Sequence, residues 1–125
     1  MDGVTMKKIL VVEDNTKNRV LIRDLLAYHG YEVFEAVNGM EAVKQAKECL
    51  PDLILLDIQM PVMDGFHALA VLRSMPETRH IKVIALTSFA MVGDRERILN
   101  AGFDDYISKP VNTRTLPETI AKYLG

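Results

Sequence analysis

The stretch Pro51-Asp52-Leu53-Ile54-Leu55-Leu56-Asp57-Ile58-Gln59-Met60-Pro61 decides how the rest of the chain is read. Four consecutive large aliphatics, Leu53 to Leu56, run straight into a carboxylate, and prolines bound the segment. An unbroken apolar run of this length reads as a strand buried on both faces, the pattern of a parallel sheet covered by helices. Asp57 then stands at the carboxyl end of that strand, the edge of an open α/β sheet where ligands and chemistry collect. On this stretch alone the aspartate reads equally well as a helix cap or a turn residue.

The same grammar repeats on either side. Lys7-Lys8-Ile9-Leu10-Val11-Val12 is a second aliphatic run, again ending in acid at Glu13-Asp14, with Asn15 able to cap a helix. Asn18, Leu21, Ile22, Leu25, Leu26 and His29 then fall on one helical stripe, and Gly30 supplies a stop. Tyr31–Ala36 is mixed in polarity and suits an edge strand. Asn38 with Glu41 resembles a capping box ahead of a stripe made by Ala42, Val43, Ala46, Cys49 and Leu50. Cys49 reads as a small core or near-core residue.

Beyond Asp57, Asp64 can cap a helix carrying Ala68, Val71, Leu72 and Met75. Lys82–Leu86 is another aliphatic strand, ending at Thr87-Ser88. A helix runs from about Ala90 to Ala101, and Gly93 weakens its first turns by roughly 1 kcal/mol relative to alanine. Asp105–Ser108 is a short last strand leading to Lys109-Pro110. The final helix buries Leu116, Ile120, Tyr123 and Leu124, with Pro117 in its first turn. Five strand–helix repeats with short connections imply a doubly wound α/β fold, (βα)5 and flavodoxin-like. Its parallel five-stranded sheet takes the order 2-1-3-4-5. Residues 1–6 read as a flexible tail and 7–125 as one domain without an output domain.

Composition bounds the function. A chain of 125 residues with 49% hydrophobic and 26% charged residues is globular. The net charge of −2 provides no basic field for nucleic acid or an anionic membrane. Cys49 is the single cysteine, so no intramolecular disulfide or cysteine metal site forms. No apolar segment approaches the roughly 20 residues of a membrane helix. These features predict a cytoplasmic protein.

If the sheet is parallel, one edge collects Glu13, Asp14, Asp57, Thr87, Ser88 and Lys109. Three acids and one lysine leave a surplus of two negative charges, which raises a carboxylate pKa or recruits a cation. An all-oxygen donor set of this kind suits Mg2+.

Together these residues form a family signature. Glu13-Asp14-Asn15, Asp57-x-x-Met60-Pro61-x-Met63-Asp64-Gly65, Ala85-Leu86-Thr87-Ser88 and Lys109-Pro110 resemble a response-regulator receiver domain of the CheY type. The likeness spans Lys7 to Leu124. Thr87-Ser88-Phe89-Ala90-Met91, Gly93-Asp94 and Tyr106-Ile107-Ser108 resemble the single-domain DivK-type regulators, and also receivers fused to hybrid histidine kinases. The resemblance implies a signalling protein rather than an enzyme acting on other substrates. Asp57 would be the phosphoacceptor. Asp14, Asp57 and the Gln59 backbone carbonyl would ligate Mg2+, with Glu13 acting through water. Lys109 would contact the phosphoryl group, Thr87 would donate to one of its oxygens, and Lys109-Pro110 would be a cis peptide. Tyr106 would be the aromatic switch, its alternative being a packed strand aromatic. Ser88 would leave the phosphoryl path open, and the apolar Phe89 predicts slow hydrolysis. Partners would be a histidine kinase or phosphotransfer protein and a downstream protein target bound through the α4-β5-α5 face, with no direct nucleic acid and no membrane. The alternative placement is a receiver domain excised from a hybrid histidine kinase or longer regulator.

Two other classes use similar parts. Haloacid-dehalogenase-type phosphohydrolases place a second acid two residues after the nucleophile, where this chain has Gln59. Flavodoxins cradle a phosphate in the first loop, where Glu13-Asp14 would repel one. No Walker-type glycine loop is present.

Overall fold

A computed structural model describes residues 6–60, 62–88 and 92–124. Strands β1 (Lys8–Val12), β2 (Glu32–Ala36), β3 (Leu53–Asp57), β4 (Lys82–Thr87) and β5 (Asp105–Ser108) alternate with five helices. These are α1 (Thr16–Tyr28), α2 (Gly39–Cys49), α3 (Gly65–Ser74), α4 (Val92–Asn100) and α5 (Thr115–Leu124). All strand pairs are parallel and the order is β2-β1-β3-β4-β5, as the alternation and the mixed β2 predicted.

Side chains of the central strands alternate between two cores because successive residues of a strand face opposite sides. Leu10, Val12, Ile54, Leu56, Val83 and Ala85 pack with α2, α3 and α4 through Ala42, Ala46, Leu69, Leu72 and Ile98. Ile9, Val11, Leu53, Leu55, Ile84 and Leu86 pack with α1 and α5 through Ile22, Leu26, Leu116 and Ile120. The whole of β3 is buried, which is why its run carries no polar residue before Asp57.

The caps agree with the sequence with one displacement. Asn15 Oδ1 accepts from Asn18 N–H, Asn38 Oδ1 from Glu41 N–H, and Asp64 Oδ1 from His67 N–H. Glu41 Oε1 accepts from the N–H of Val37, one residue earlier than a capping box requires. Gly30, at φ 92°, ends α1. Pro117 is the third residue of α5.

The stripes of α1, α2 and α3 bury a different set of residues from the one their spacing predicts, and in α5 Leu116 and Ile120 are buried while Tyr123 and Leu124 are only half-buried. Leu21 is 46% exposed and His29 is an exposed C-cap, because α1 buries only the narrow line through Ile22 and Leu26. Leu50 is 53% exposed and left-handed (φ 47°), because the chain must turn there to enter β3 after Pro51. Leu69, outside the expected α3 stripe, is buried, while Val71 and Met75 are half-buried. Cys49 is half-buried, and burial pushes its thiol pKa up, as suits a near-core residue. The expected start of α4 at Ala90 lies outside the described residues, as do residues 1–5 of the expected tail.

At the opposite edge Arg73, at the end of α3, donates to the carbonyls of Arg79, Ile81 and Gly102 and to Asp104 Oδ2. Asp104 Oδ2 also accepts from Val83 N–H, so one guanidinium ties α3 to both β4 and β5. Tyr123 ties α5 to the start of β5 through Asp105 Oδ2 at 2.9 Å and the Asp104 carbonyl at 3.2 Å. Burial, then the Asp105 hydrogen bond, pushes the Tyr123 hydroxyl pKa up to about 12.

Candidate functional site

Backbone hydrogen bonds continue past the strand ends and set the site. Glu13 N–H donates to Ala36 O at 3.1 Å, Ile58 N–H to Leu86 O at 3.1 Å, and Lys109 N–H to Thr87 O at 2.8 Å. Residues that leave β1, β3 and β5 are thereby held level with one another. Asp57, the last residue of β3, and Glu13, just after β1, are each only 1% exposed. Thr87, at the end of β4, is fully buried.

Lys109 Nζ lies 2.7 Å from Asp57 Oδ2 and 2.9 Å from Glu13 Oε1. Burial works against the charge of Lys109, but the hydrogen bonds to Asp57 and then Glu13 outweigh it. Its pKa rises above the ordinary lysine value. The other Asp57 oxygen accepts from Gln59 N–H at 2.9 Å. Both oxygens of this buried carboxylate are therefore engaged, as a buried charge requires.

Carboxylate oxygens of Glu13, Asp14 and Asp57 lie within 4.8 Å of one another. Three hard oxygen donors this close, with one cation among them, fit a small divalent ion such as Mg2+. Asp14 is the exposed member, open to incoming groups.

A tight loop presents Asp57. Gly65 N–H donates to Ile58 O at 3.0 Å, and a Cβ at Gly65 would sit 2.6 Å from Asp57 O and 2.7 Å from Ile58 Cα. The glycine of the Asp64-Gly65 pair is thus what allows α3 to start against the end of β3. A Cβ at Gly39 would meet Met63 O at 2.5 Å, so the loop also leans on the start of α2. Val62 takes φ 71° there with 77% exposure.

The structure therefore brings Glu13, Asp14, Asp57 and Lys109 into one cluster, with Thr87 at the neighbouring strand end. Gln59 is exposed and joins the cluster through its N–H. Ser88 is exposed beside Thr87. Tyr106 is half-buried on β5, packed against the α2–α3–α4 core rather than in the cluster. The Lys109-Pro110 peptide is cis. Pro61 and Phe89 lie outside the described residues.

Sequence reasoning missed the residues that hold Glu13. Asn18, assigned by spacing to the α1 stripe, donates from Nδ2 to Glu13 Oε1 at 3.4 Å, and Asn15 N–H donates to Oε2 at 3.3 Å. Arg19 Nη1 donates to the Glu13 carbonyl at 3.0 Å. The one local signal is polarity: Asn18 sits where an apolar stripe should have an apolar residue.

Residues 9–121 match the response regulator receiver domain family. The polar-differentiation response regulator DivK of Brucella anthropi is 49% identical over 119 residues, 95% of this chain and 97% of that protein. Among solved structures, the receiver domain of a sensor histidine kinase from Pseudomonas aeruginosa PAO1, described with a magnesium ion coordinated in its active site cleft, is 37% identical. Its TM-score is 0.89, over 97% of this chain and 99% of that one. Vibrio cholerae chemotaxis protein CheY4 is 29% identical with TM-score 0.89, over 95% and 99%. No helix among the described residues is long and apolar enough to cross a membrane. With strand order, acid cluster and near-complete alignment in agreement, the chain belongs to the response regulator receiver domain family, the signalling receivers of two-component systems.

Proposed function

We propose that this receiver takes a phosphoryl group from the phosphohistidine of a histidine kinase or phosphotransfer protein onto Asp57, using Mg2+. The observation that carries the assignment is the Asp57 carboxylate buried between Lys109 and the Glu13–Asp14 acids at the sheet's carboxyl edge. A carboxylate oxygen attacks phosphorus, the bond from phosphorus to the imidazole nitrogen breaks, and an aspartyl phosphate forms. Asp14, Asp57 and the Gln59 carbonyl would hold the ion, and Glu13 would support it through water. When bound, the ion supplies positive charge against the phosphoryl oxygens. Lys109 already reaches Asp57 and moves with the charge onto the phosphoryl group. The small Ser88 side chain leaves the approach open, and an apolar Phe89 offers no group to orient hydrolytic water.

Phosphorylation adds about −1.5 to −2 charge. Thr87 and Lys109 turn toward it, Tyr106 moves inward behind Thr87, and the α4-β5-α5 face changes for a downstream protein. The chain acts in the cytoplasm, residues 7–125 serving as one receiver unit. It catalyses only its own phosphorylation and dephosphorylation. The likeness to a receiver of a sensor histidine kinase supports a second placement, as a relay segment within a longer kinase. The higher identity to DivK favours the first.

The test is intact mass after incubation with acetyl phosphate and Mg2+. The wild type gains one phosphoryl group and Asp57→Asn gains none. An unmodified wild type, or an adduct that persists in Asp57→Asn, overturns the assignment.

A further inference from the structure

Glu13 is fixed by more than its carboxylate. Its N–H is tied to Ala36 O at 3.1 Å, and its carbonyl accepts from Arg19 Nη1 at 3.0 Å. Arg19 is in turn aimed from the side. Its Nε donates to Glu35 Oε1 at 3.0 Å, and Arg23, one helical turn on, places Nη1 3.4 Å from Glu35 Oε2. The Arg19 and Glu35 side chains are 15% and 32% exposed, so the pair is shielded enough to hold its geometry. Glu35 stands on β2 opposite Val11 of β1, directly before the Ala36 that receives the Glu13 N–H.

A peptide unit is planar, so holding the Glu13 carbonyl also holds the nitrogen and Cα of Asp14. Asp14 needs this. It is the exposed acid of the cluster, and among the described residues no hydrogen bond steers its carboxylate. Glu13, by contrast, has Lys109, Asn18 and the Asn15 N–H on its oxygens.

We propose that Arg19 is a positioning residue for the divalent-cation site, and that Glu35 aims it. Its guanidinium clamps the Glu13–Asp14 peptide so that the Asp14 carboxylate is presented at ligating distance from Asp57. The inference rests on the reading of the acid cluster as a Mg2+ site. Groups that orient ligands from outside the coordination sphere are commonly worth 10- to 100-fold in metal affinity.

The test is calorimetric titration with Mg2+, alongside thermal unfolding of each metal-free protein. Arg19→Ala weakens Mg2+ binding roughly tenfold or more. Glu35→Gln weakens it less, because the amide oxygen still accepts from Nε. Arg19→Lys, with one donor able to reach the Glu13 carbonyl, recovers part of the loss. Arg73→Ala, which breaks a comparable hub at the far edge of the sheet, lowers the unfolding temperature and leaves Mg2+ affinity at the wild-type value. If Arg19→Ala is too unstable to titrate, Glu35→Gln and Arg19→Lys carry the same ranking. Wild-type Mg2+ affinity in the Arg19 variants, or an equal loss in Arg73→Ala, overturns the inference alone. A wild type that binds no Mg2+ overturns the reading of the cluster and the inference with it.

Discussion

On the β1–β3 flank of the carboxyl edge, Glu13 is gripped at its N–H, its carbonyl and both carboxylate oxygens. On the β4–β5 flank, α4 sinks one described side chain into the core, Ile98 at 2% exposure. A further tie among the described residues is a stack, with the Arg97 guanidinium 4.6 Å above the Phe66 ring and Phe66 edge-on to Phe103 at 5.8 Å. Such a cation–π contact at a partly exposed site is worth about 0.5–1 kcal/mol. Under the proposed function, the difference suits two jobs. Charge must be met by groups already in place when the phosphoryl group arrives. A surface that reports the event has to rearrange at low cost, which needs few buried contacts.

The contrast breaks first at Gly65 if it breaks at all. Gly65→Ala drives a methyl group to 2.6 Å from one backbone atom and 2.7 Å from another, with no flexible side chain to yield. Overpacking of this kind costs about 2–3 kcal/mol. Urea unfolding should show that loss, and phosphorylation by acetyl phosphate should fall with it because Asp57 is displaced. An unchanged midpoint would mean that this flank is as yielding as α4.

A second, smaller effect locates the boundary between the flanks. Tyr123→Phe removes the hydroxyl that ties α5 to Asp105, at a cost of about 1 kcal/mol near neutral pH. The folded pKa of this hydroxyl is raised, to about 12, so the tie is fully present below an ordinary tyrosine pKa of about 10. It fades as pH rises through about 12. The stability gap between wild type and Tyr123→Phe should therefore close over that window in denaturant titrations. Lys109, also raised, adds an alkaline loss of its own that both proteins share. A gap that stays constant to high pH would detach Tyr123 from Asp105 and extend the loose flank to α5.

The parts of the fold legible in the sequence are those that neighbouring residues express together. Leu53 to Leu56 announce a strand covered on both faces, Asp57 its end, and Asn38 and Asp64 their caps, since each signal lies within a turn or a strand. The acid–lysine cluster was legible because topology alone brings strand ends to one edge. The residues that hold it were not. Arg19 is six residues from Glu13 and sixteen from Glu35, and a basic residue on α1 looks the same whether it meets solvent or a carbonyl. Arg73, 31 residues from Asp104, is silent for the same reason. Leu50 erred the other way: helical spacing placed it inside, but the turn into β3 took it out.

The smallest effect tests the loose flank from the favourable side. Gly93 is the second residue of α4, and a Cβ there meets nothing within 4 Å. Gly93→Ala removes unfolded-state freedom without a clash, so it should stabilise the protein by about 0.5 kcal/mol, read as a higher urea midpoint. Slower amide exchange should be confined to α4. That is a shift of about twofold in any equilibrium that moves this helix, whereas carrying a switch from 1:99 to 99:1 takes about 5.5 kcal/mol. Phosphorylation should therefore still drive the change in Gly93→Ala, at slightly reduced extent. If the variant instead loses stability, the first turn of α4 is packed against something a methyl group disturbs, and the two flanks differ less than their burial implies.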